Sequence, residues 1–161
     1  PVQSPILSFG LAPGKQLSEP AVEGNALGLP AFLTPEPPAG PVAQMLFPDR
    51  PTRRADFYSE LCSKRARGRA VVWALEQGGE LACTVGAYAI GTEQAYMACG
   101  ETAEPLRGAR HRAGGLSSAL ANTLSAQGLQ PLFLCSPERV HFYTRLGFEK
   151  LGEYARYEAT V

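Results

Sequence analysis

The chain has 161 residues, 45% of them hydrophobic and 19% charged, which is one domain's length and enough to bury roughly two thirds of the unfolded surface. Fifteen basic residues balance fifteen acidic ones, so no global field selects nucleic acid or an anionic membrane, and a small partner is expected. No run of about eighteen apolar residues is present to span a bilayer, and no basic region followed by an apolar core and cleavage site opens the sequence; a soluble, cytoplasmic protein is the expectation.

Residues 1–51 carry eleven of the fourteen prolines. Pro35-Glu36-Pro37-Pro38-Ala39-Gly40-Pro41 reads as unable to sustain a helix or a central strand, because proline lacks the amide proton and fixes φ. This third is therefore expected to be mostly irregular and packed on the core, with Pro5-Ile6-Leu7-Ser8-Phe9 and Ala31-Phe32-Leu33 short enough to dock as an edge strand or across the core. The remainder, 52–161, is expected to hold the functional domain.

From Thr52 to Lys64, Ala55, Tyr58 and Leu61-Cys62 recur at helical spacing while Arg53, Arg54, Asp56, Glu60 and Lys64 take the other positions, which describes an amphipathic helix covering a sheet. The basic run from Lys64 to Arg69 reads as a solvated helix end, its cations suited to the negative pole of the helix dipole. Val71 to Glu76 is rich in strand formers, Gln77-Gly78-Gly79-Glu80 is a hairpin signal, and Leu81 to Ile90 is again extended. After a turn at Gly91 to Gln94, a third strand over 95–104 completes an antiparallel meander. Gly100 inside it points to a bulge, to a close ligand approach or to tight packing.

The segment Arg112-Ala113-Gly114-Gly115-Leu116-Ser117-Ser118-Ala119-Leu120 reads as a glycine-rich loop entering a helix. Leu116, Leu120 and Leu124 repeat every fourth residue and fall on one face of that helix. Its first amides have no partner inside the helix and lie at the positive end of the dipole, so this end can hold a phosphate; the same glycines can equally mark a plain tight turn. A buried strand is predicted over 129–135. A helix follows from Ser136, stopped by Gly147, and Glu149 to Val161 alternates enough around Leu151, Tyr154 and Tyr157 to supply one or two closing strands. Cys62, Cys83, Cys99 and Cys135 are widely spaced, with only two histidines in the chain; neither a zinc site nor a disulfide framework is favoured, and the thiols are expected reduced and mostly buried.

Arg-x-x-Gly-x-Ser at 112–117, followed at helix-plus-strand distance by Phe142-Tyr143-Thr144-Arg145-Leu146-Gly147-Phe148, resembles the GNAT superfamily of acetyl-CoA-dependent N-acetyltransferases over about residues 70 to 150. The resemblance implies an α/β (α+β) fold, a mixed and mainly antiparallel sheet of about six to seven strands flanked by helices. It departs from the family at Ser117, where a small glycine or alanine is usual, and in a longer connection from Thr102 to Arg112. Either Arg107-Gly108 or Arg112-Ala113 can therefore take the family's arginine-glycine step.

The activity implied is acetyl transfer from acetyl-CoA to a primary amine on a small molecule, with no metal and no nucleic acid or membrane partner; a homodimer is compatible with it. The strands over 95–104 and 129–135 would splay apart to admit the pantetheine arm. The residues implied for the cosubstrate are Gly100, Thr102, Arg110, Arg112, Ala113, Gly114, Gly115, Leu116, Ser117, Ser118 and Ser136. Tyr143 is implied as the proton donor to the departing thiolate; its phenol, ordinarily titrating near ~10, is protonated at neutral pH. Glu101 is the chosen base, with Glu104 and His111 close by in sequence, and His141 is read as capping or packing. A non-catalytic acyl-CoA sensor or interaction module on the same fold is the alternative.

Overall fold

The computed structural model describes residues 2–18, 31–34, 36–102 and 112–158. In chain order the elements are β1 (Val2–Gly10), β2 (Ala31–Thr34), α1 (Ala39–Leu46), α2 (Pro51–Ala66), β3 (Ala70–Gln77), β4 (Glu80–Ile90), β5 (Gln94–Thr102), α3 (Arg112–Ala126), β6 (Gln130–Cys135), a 3-10 turn (Pro137–Arg139), α4 (Val140–Leu146) and β7 (Glu149–Glu158). The seven strands form one sheet in the order β2-β3-β4-β5-β6-β1-β7. Every neighbouring pair is antiparallel except β5 and β6, so the mixed, mainly antiparallel sheet expected from the sequence is present.

The meander forms as the sequence dictates. Gly78 and Gly79 both take positive φ (61° and 80°), the geometry of the two-residue turn whose twist matches its strands. Along β3, alternate residues face opposite layers. Val71, Trp73 and Leu75 join Leu116, Leu120 and Leu124 of α3 in the larger core, while Val72 packs with Val42 and Ala43 of α1 and with Phe57 and Leu61 of α2. The two layers of helices thus lie on opposite faces of the sheet.

Four sequence expectations are corrected. β1 is an interior strand, paired with β6 through Leu7 to Gly10 and with β7 along its whole length; Pro5 is accommodated because the β6 ladder begins only at Leu7. The proline-rich stretch starts a helix, since Pro41 is the third residue of α1, among the first four positions whose amides have no helical acceptor. α2 buries Phe57 and Leu61 rather than Ala55, Tyr58 and Cys62, because the pair four residues apart is the one that meets Val72. Cys62 is exposed, unlike Cys83 and Cys135.

The basic run closing α2 is also tied to the protein more than a solvated end would be. Lys64 Nζ lies 4.2 Å from the centre of the Tyr88 ring, and Arg65 Nε is 3.3 Å from Glu36 Oε2. Arg67 donates to Ser63 Oγ at 2.7 Å, and Arg69 donates to the carbonyls of Ala89 and Gly91.

After β1 the chain lies along α3 as a strap. Asn122 accepts from the Leu17 amide (2.7 Å) and donates to the Leu17 carbonyl (2.8 Å), and Ser125 Oγ donates to the Lys15 carbonyl (2.8 Å). Leu11 and Leu17 are buried in the larger core by this path.

Candidate active site

β5 and β6 are the only parallel neighbours among the described strands, and α3 connects them, so α3 begins beside the carboxyl end of β5. Crevices outside the carboxyl ends of parallel strands are where α/β sheets bind ligands. Here the crevice is opened by the sheet itself. The ladder consists of Gln94↔Gln130, Ala95↔Pro131 and Tyr96↔Leu132; from Met97 on β5 and Phe133 on β6, neither strand has a partner across the gap. Backbone donors and acceptors along such an edge are available to a ligand.

The opposite edge of β5 carries a second irregularity. Its pairing with β4 passes from Gly86↔Ala98 to Thr84↔Glu101, so three steps of β5 oppose two of β4 and one extra residue is inserted at Cys99-Gly100. This is the bulge that the glycine suggested. A side chain at Gly100 would meet nothing within 4 Å, and the residue is exposed. Packing therefore does not explain this glycine.

Tyr143 stands over the point where the strands separate. Its ring centroid is 4.4 Å from that of Phe133, the first β6 residue beyond the ladder, and 6.5 Å from that of Phe9. Phe133 in turn meets Phe148 edge-on at 5.1 Å. The helix carrying Tyr143 is stopped by Gly147 at φ 98°, a left-handed C-terminal residue that glycine adopts at little cost, and Phe148 then drops into the core. The Phe-Tyr-x-Arg-Leu-Gly-Phe pattern is therefore a device that seats the partly exposed Tyr143 ring on an aromatic cluster.

Burial pushes the Tyr143 phenol above the ordinary tyrosine value, with small additional pushes from Cys135 on β6 and Tyr96 on β5. Arg139 opposes this through its charge and through side-chain hydrogen bonding. The net shift is upward, so the phenol is protonated and can donate throughout the neutral range. Burial likewise raises the Cys135 thiol, against the charge of Arg139. Arg139 escaped the sequence reading. Its signal was its spacing, four residues before Tyr143 and so next to it on the surface of a helical segment.

The glycine-rich segment differs from the expected loop, because α3 already begins at Arg112 and Gly114 and Gly115 lie in its first turn. The chemical meaning survives at the very start of the helix, where the first amides have no helical acceptor, although Gly115 itself is buried. Leu116 is buried as part of the apolar stripe. Ser117 keeps partial access, but Ser118 is wholly buried, with no hydrogen-bond partner for its hydroxyl. Its spacing to Asn122 and Ser125 puts it on the face that carries the strap.

Ser136 is partly exposed in extended conformation just after β6, and its carbonyl accepts from the Arg139 amide at 3.0 Å. The backbones of Glu101 and Thr102 end β5 opposite Thr84 and Cys83; their side chains, and those of Arg112, Ala113 and Gly114, lie outside the described residues, as do Glu104, Arg107, Gly108, Arg110 and His111 entirely. His141 is exposed.

No protein-family model and no curated protein matches the sequence. Solved structures do match the fold. A GNAT-family protein from Novosphingobium aromaticivorans aligns with a TM-score of 0.67 at 16% identity, over 96% of this chain and 63% of its own. Glucosamine-6-phosphate N-acetyltransferase from Arabidopsis thaliana aligns at 0.64 and 13% identity, over 82% of this chain and 98% of its own. A tandem GNAT protein of the clavulanic acid pathway aligns at 0.65 and 18% identity, over 94% of this chain and 52% of its own. The chain thus spans less than two thirds of the first and last of these structures, and its fold is that of the GNAT acetyltransferases.

Proposed function

We propose that the protein transfers an acetyl group from acetyl-CoA to a primary amine of a small molecule. The observation that carries this reading is the parting of β5 and β6 after Tyr96↔Leu132, with the open space at Gly100 on β5 and the ring of Tyr143, from α4, packed on Phe133 of β6. The gap suits a narrow, amide-bearing arm that completes the ladder from both sides. The N-terminal end of α3, at the positive pole of its dipole, suits the pyrophosphate, with Arg112 and Ser117 adjacent in sequence. When bound, acetyl-CoA supplies an activated thioester; the protein supplies placement and protons.

An amine attacking a thioester needs its carbon held in reach and a proton delivered to the sulfur as it leaves. In this reading backbone groups along residues 97–102 and 133–135 hold the arm, and the neutral Tyr143 hydroxyl is the donor, supported by the ring's seat on Phe133 beside the gap. Glu101, at the β5 end of the gap, is proposed as the group that takes the amine's proton, directly or through water. The Arabidopsis enzyme of the same fold is named for a phosphorylated amino sugar, consistent with a small polar amine here.

The test is Tyr143→Phe, which keeps the ring on Phe133 and deletes only the hydroxyl. Turnover of acetyl-CoA with a responsive amine, followed as free thiol, should fall by ~10² or more, with acetyl-CoA affinity within a few fold of the unmodified protein. Normal turnover in this variant would remove the acid assignment. Absence of thiol release over a broad amine panel, with acetyl-CoA still bound, would turn the reading towards an acyl-CoA sensor.

A further inference from the structure

The two faces of the sheet are covered unequally beyond the seam. On one face α3 and α4 pack over Phe9, Phe133 and Cys135. On the other, α1 and α2 pack on β3, β4 and β5. Side chains alternate along a strand, so the residues between those core positions, Leu134 on β6 and Ser8 and Gly10 on β1, belong to that second face.

Leu134 stands across from Ser8, and Ser8 across from Gly152 of β7, one row over three strands. Leu134 is 43% exposed. The Tyr154 ring lies over Gly152, 3.5 Å from where a Cβ on that glycine would stand, and the residue is 60% exposed. In the next row Leu151, 42% exposed, brings its Cδ1 to 3.0 Å from where a Cβ on Gly10 would stand. The result is a shallow trough with small residues on its floor, Leu134 as one wall and Leu151 and Tyr154 as the other. Two strand spacings, roughly 10 Å, separate the walls, which is room for a ring. None of these residues is charged.

The trough adjoins the opened seam, because Leu134 is the second β6 residue past the last ladder pair. The α3 side of that strand is filled by Tyr143 and Phe148 packed on Phe133. An acceptor therefore reaches a thioester held in the gap from the trough side.

We propose that the trough holds the body of the acceptor, and that the acceptor is a primary amine carried on a flat apolar ring, an arylalkylamine. The inference rests on the transfer reading above and names its substrate class. From the floor at Ser8 to the gap is about one and a half strand spacings, roughly 7 Å, so an amine a few bonds out from the ring reaches the acetyl carbon. There the nitrogen forms its bond to that carbon as the carbon–sulfur bond breaks; the electron pair stays on sulfur, which takes a proton, and the nitrogen releases one. Burial of the ring is favourable in proportion to the area removed from water, and contact with Tyr154 adds to it. A phosphate or a polycation would be desolvated there without a partner, so the parallel with the Arabidopsis enzyme stops at the amine.

The experiment compares 2-phenylethylamine, ethylamine, glucosamine 6-phosphate and spermidine as acceptors, followed as free thiol, in the unmodified protein and in Tyr154→Ala and Leu134→Asn. Both positions are exposed, so the variants should melt within about 4 °C of the parent. In the unmodified protein kcat/KM for 2-phenylethylamine should exceed that for ethylamine about a hundredfold. Each variant should cut that ratio about tenfold, through KM for 2-phenylethylamine, with acetyl-CoA affinity by calorimetry within about twofold.

Equal or higher kcat/KM with glucosamine 6-phosphate or spermidine would overturn the proposal, as would a ratio that both variants leave unchanged. So would a sedimenting dimer that Tyr154→Ala dissociates, because a second copy would then cover the trough. If no acceptor releases thiol, calorimetry of 2-phenylethylamine with the CoA-loaded protein separates the two readings. Binding that Tyr154→Ala weakens about tenfold would keep the trough and remove the transfer; absence of binding would remove both.

Discussion

At the scale of single residues, one phenol at the candidate site is set against opposing influences. Burial over Phe133 and Phe9 favours the neutral form of Tyr143, and Arg139 favours the ionised form; burial wins, so the folded value lies above the ordinary ~10. The sign has a direct kinetic consequence. On the proposed role of Tyr143 as the acid, the protonated phenol is the active species, so its contribution is fully present below pH ~10 and is lost only as pH rises through the higher folded value. The ratio of kcat for the unmodified protein to kcat for Tyr143→Phe should therefore stay constant from pH 7 to about 9.5. A ratio that declines within that interval would show a depressed phenol and contradict the burial argument. The position of Tyr143 was legible because Gly147 and Phe148 give its helix a recognisable end. Its partner Arg139 was not, because a charged residue on an exposed turn carries no pattern of its own until the fold places it beside the phenol.

At the scale of elements, β5 shows how one glycine can be read three ways in sequence and one way in structure. A bulge, a ligand approach and a packing contact all account for Gly100; the pairing shift against β4 supplies the bulge, and the absence of any atom within 4 Å of a would-be Cβ removes the packing reading. Gly100 has none of the positive φ that would strain a side chain. Gly100→Val should therefore leave the melting temperature within about 4 °C of the parent, as surface substitutions do. It should also weaken acetyl-CoA binding about tenfold or more, a loss of at least ~1.4 kcal/mol, measurable by calorimetry. Unchanged affinity would separate the bulge from the ligand path. Other elements were legible to different degrees. The meander β3-β4-β5 and helix α3 came through because period-two and period-four patterns are local. The interior place of β1 did not, since strand order is decided by tertiary pairing and Pro5 signals an edge. α1 was hidden because a proline that breaks a helix interior is harmless at its third position.

At the scale of the whole molecule, the sheet is two parts meeting at a short seam. β2-β3-β4-β5 form one part and β6-β1-β7 the other, and the seam between them is the three-pair ladder at Gln94, Ala95 and Tyr96. What else joins the parts is α3, whose leucines pack with residues of both, and the strap clamped to α3 by Asn122 and Ser125. That division explains why the fold of the C-terminal half was legible and the remainder was not: helix α3 and the glycine-stopped end of α4 are spelled by local motifs. The layer over the other face is built from α1 and α2, whose approach depends on packing at Val42, Phe57 and Leu61. A ligand lying in the seam touches both parts and should act as a further clamp. Binding to the folded state alone stabilises by about 2.7 kcal/mol at a hundred times the dissociation constant, which for a chain of this length raises the melting temperature by roughly 5–10 °C. Acetyl-CoA should produce a rise of that order in a thermal melt, and Gly100→Val should lose most of it at the same ligand concentration. A melt that acetyl-CoA leaves unmoved at millimolar concentration would mean that the seam is only an interruption in the sheet.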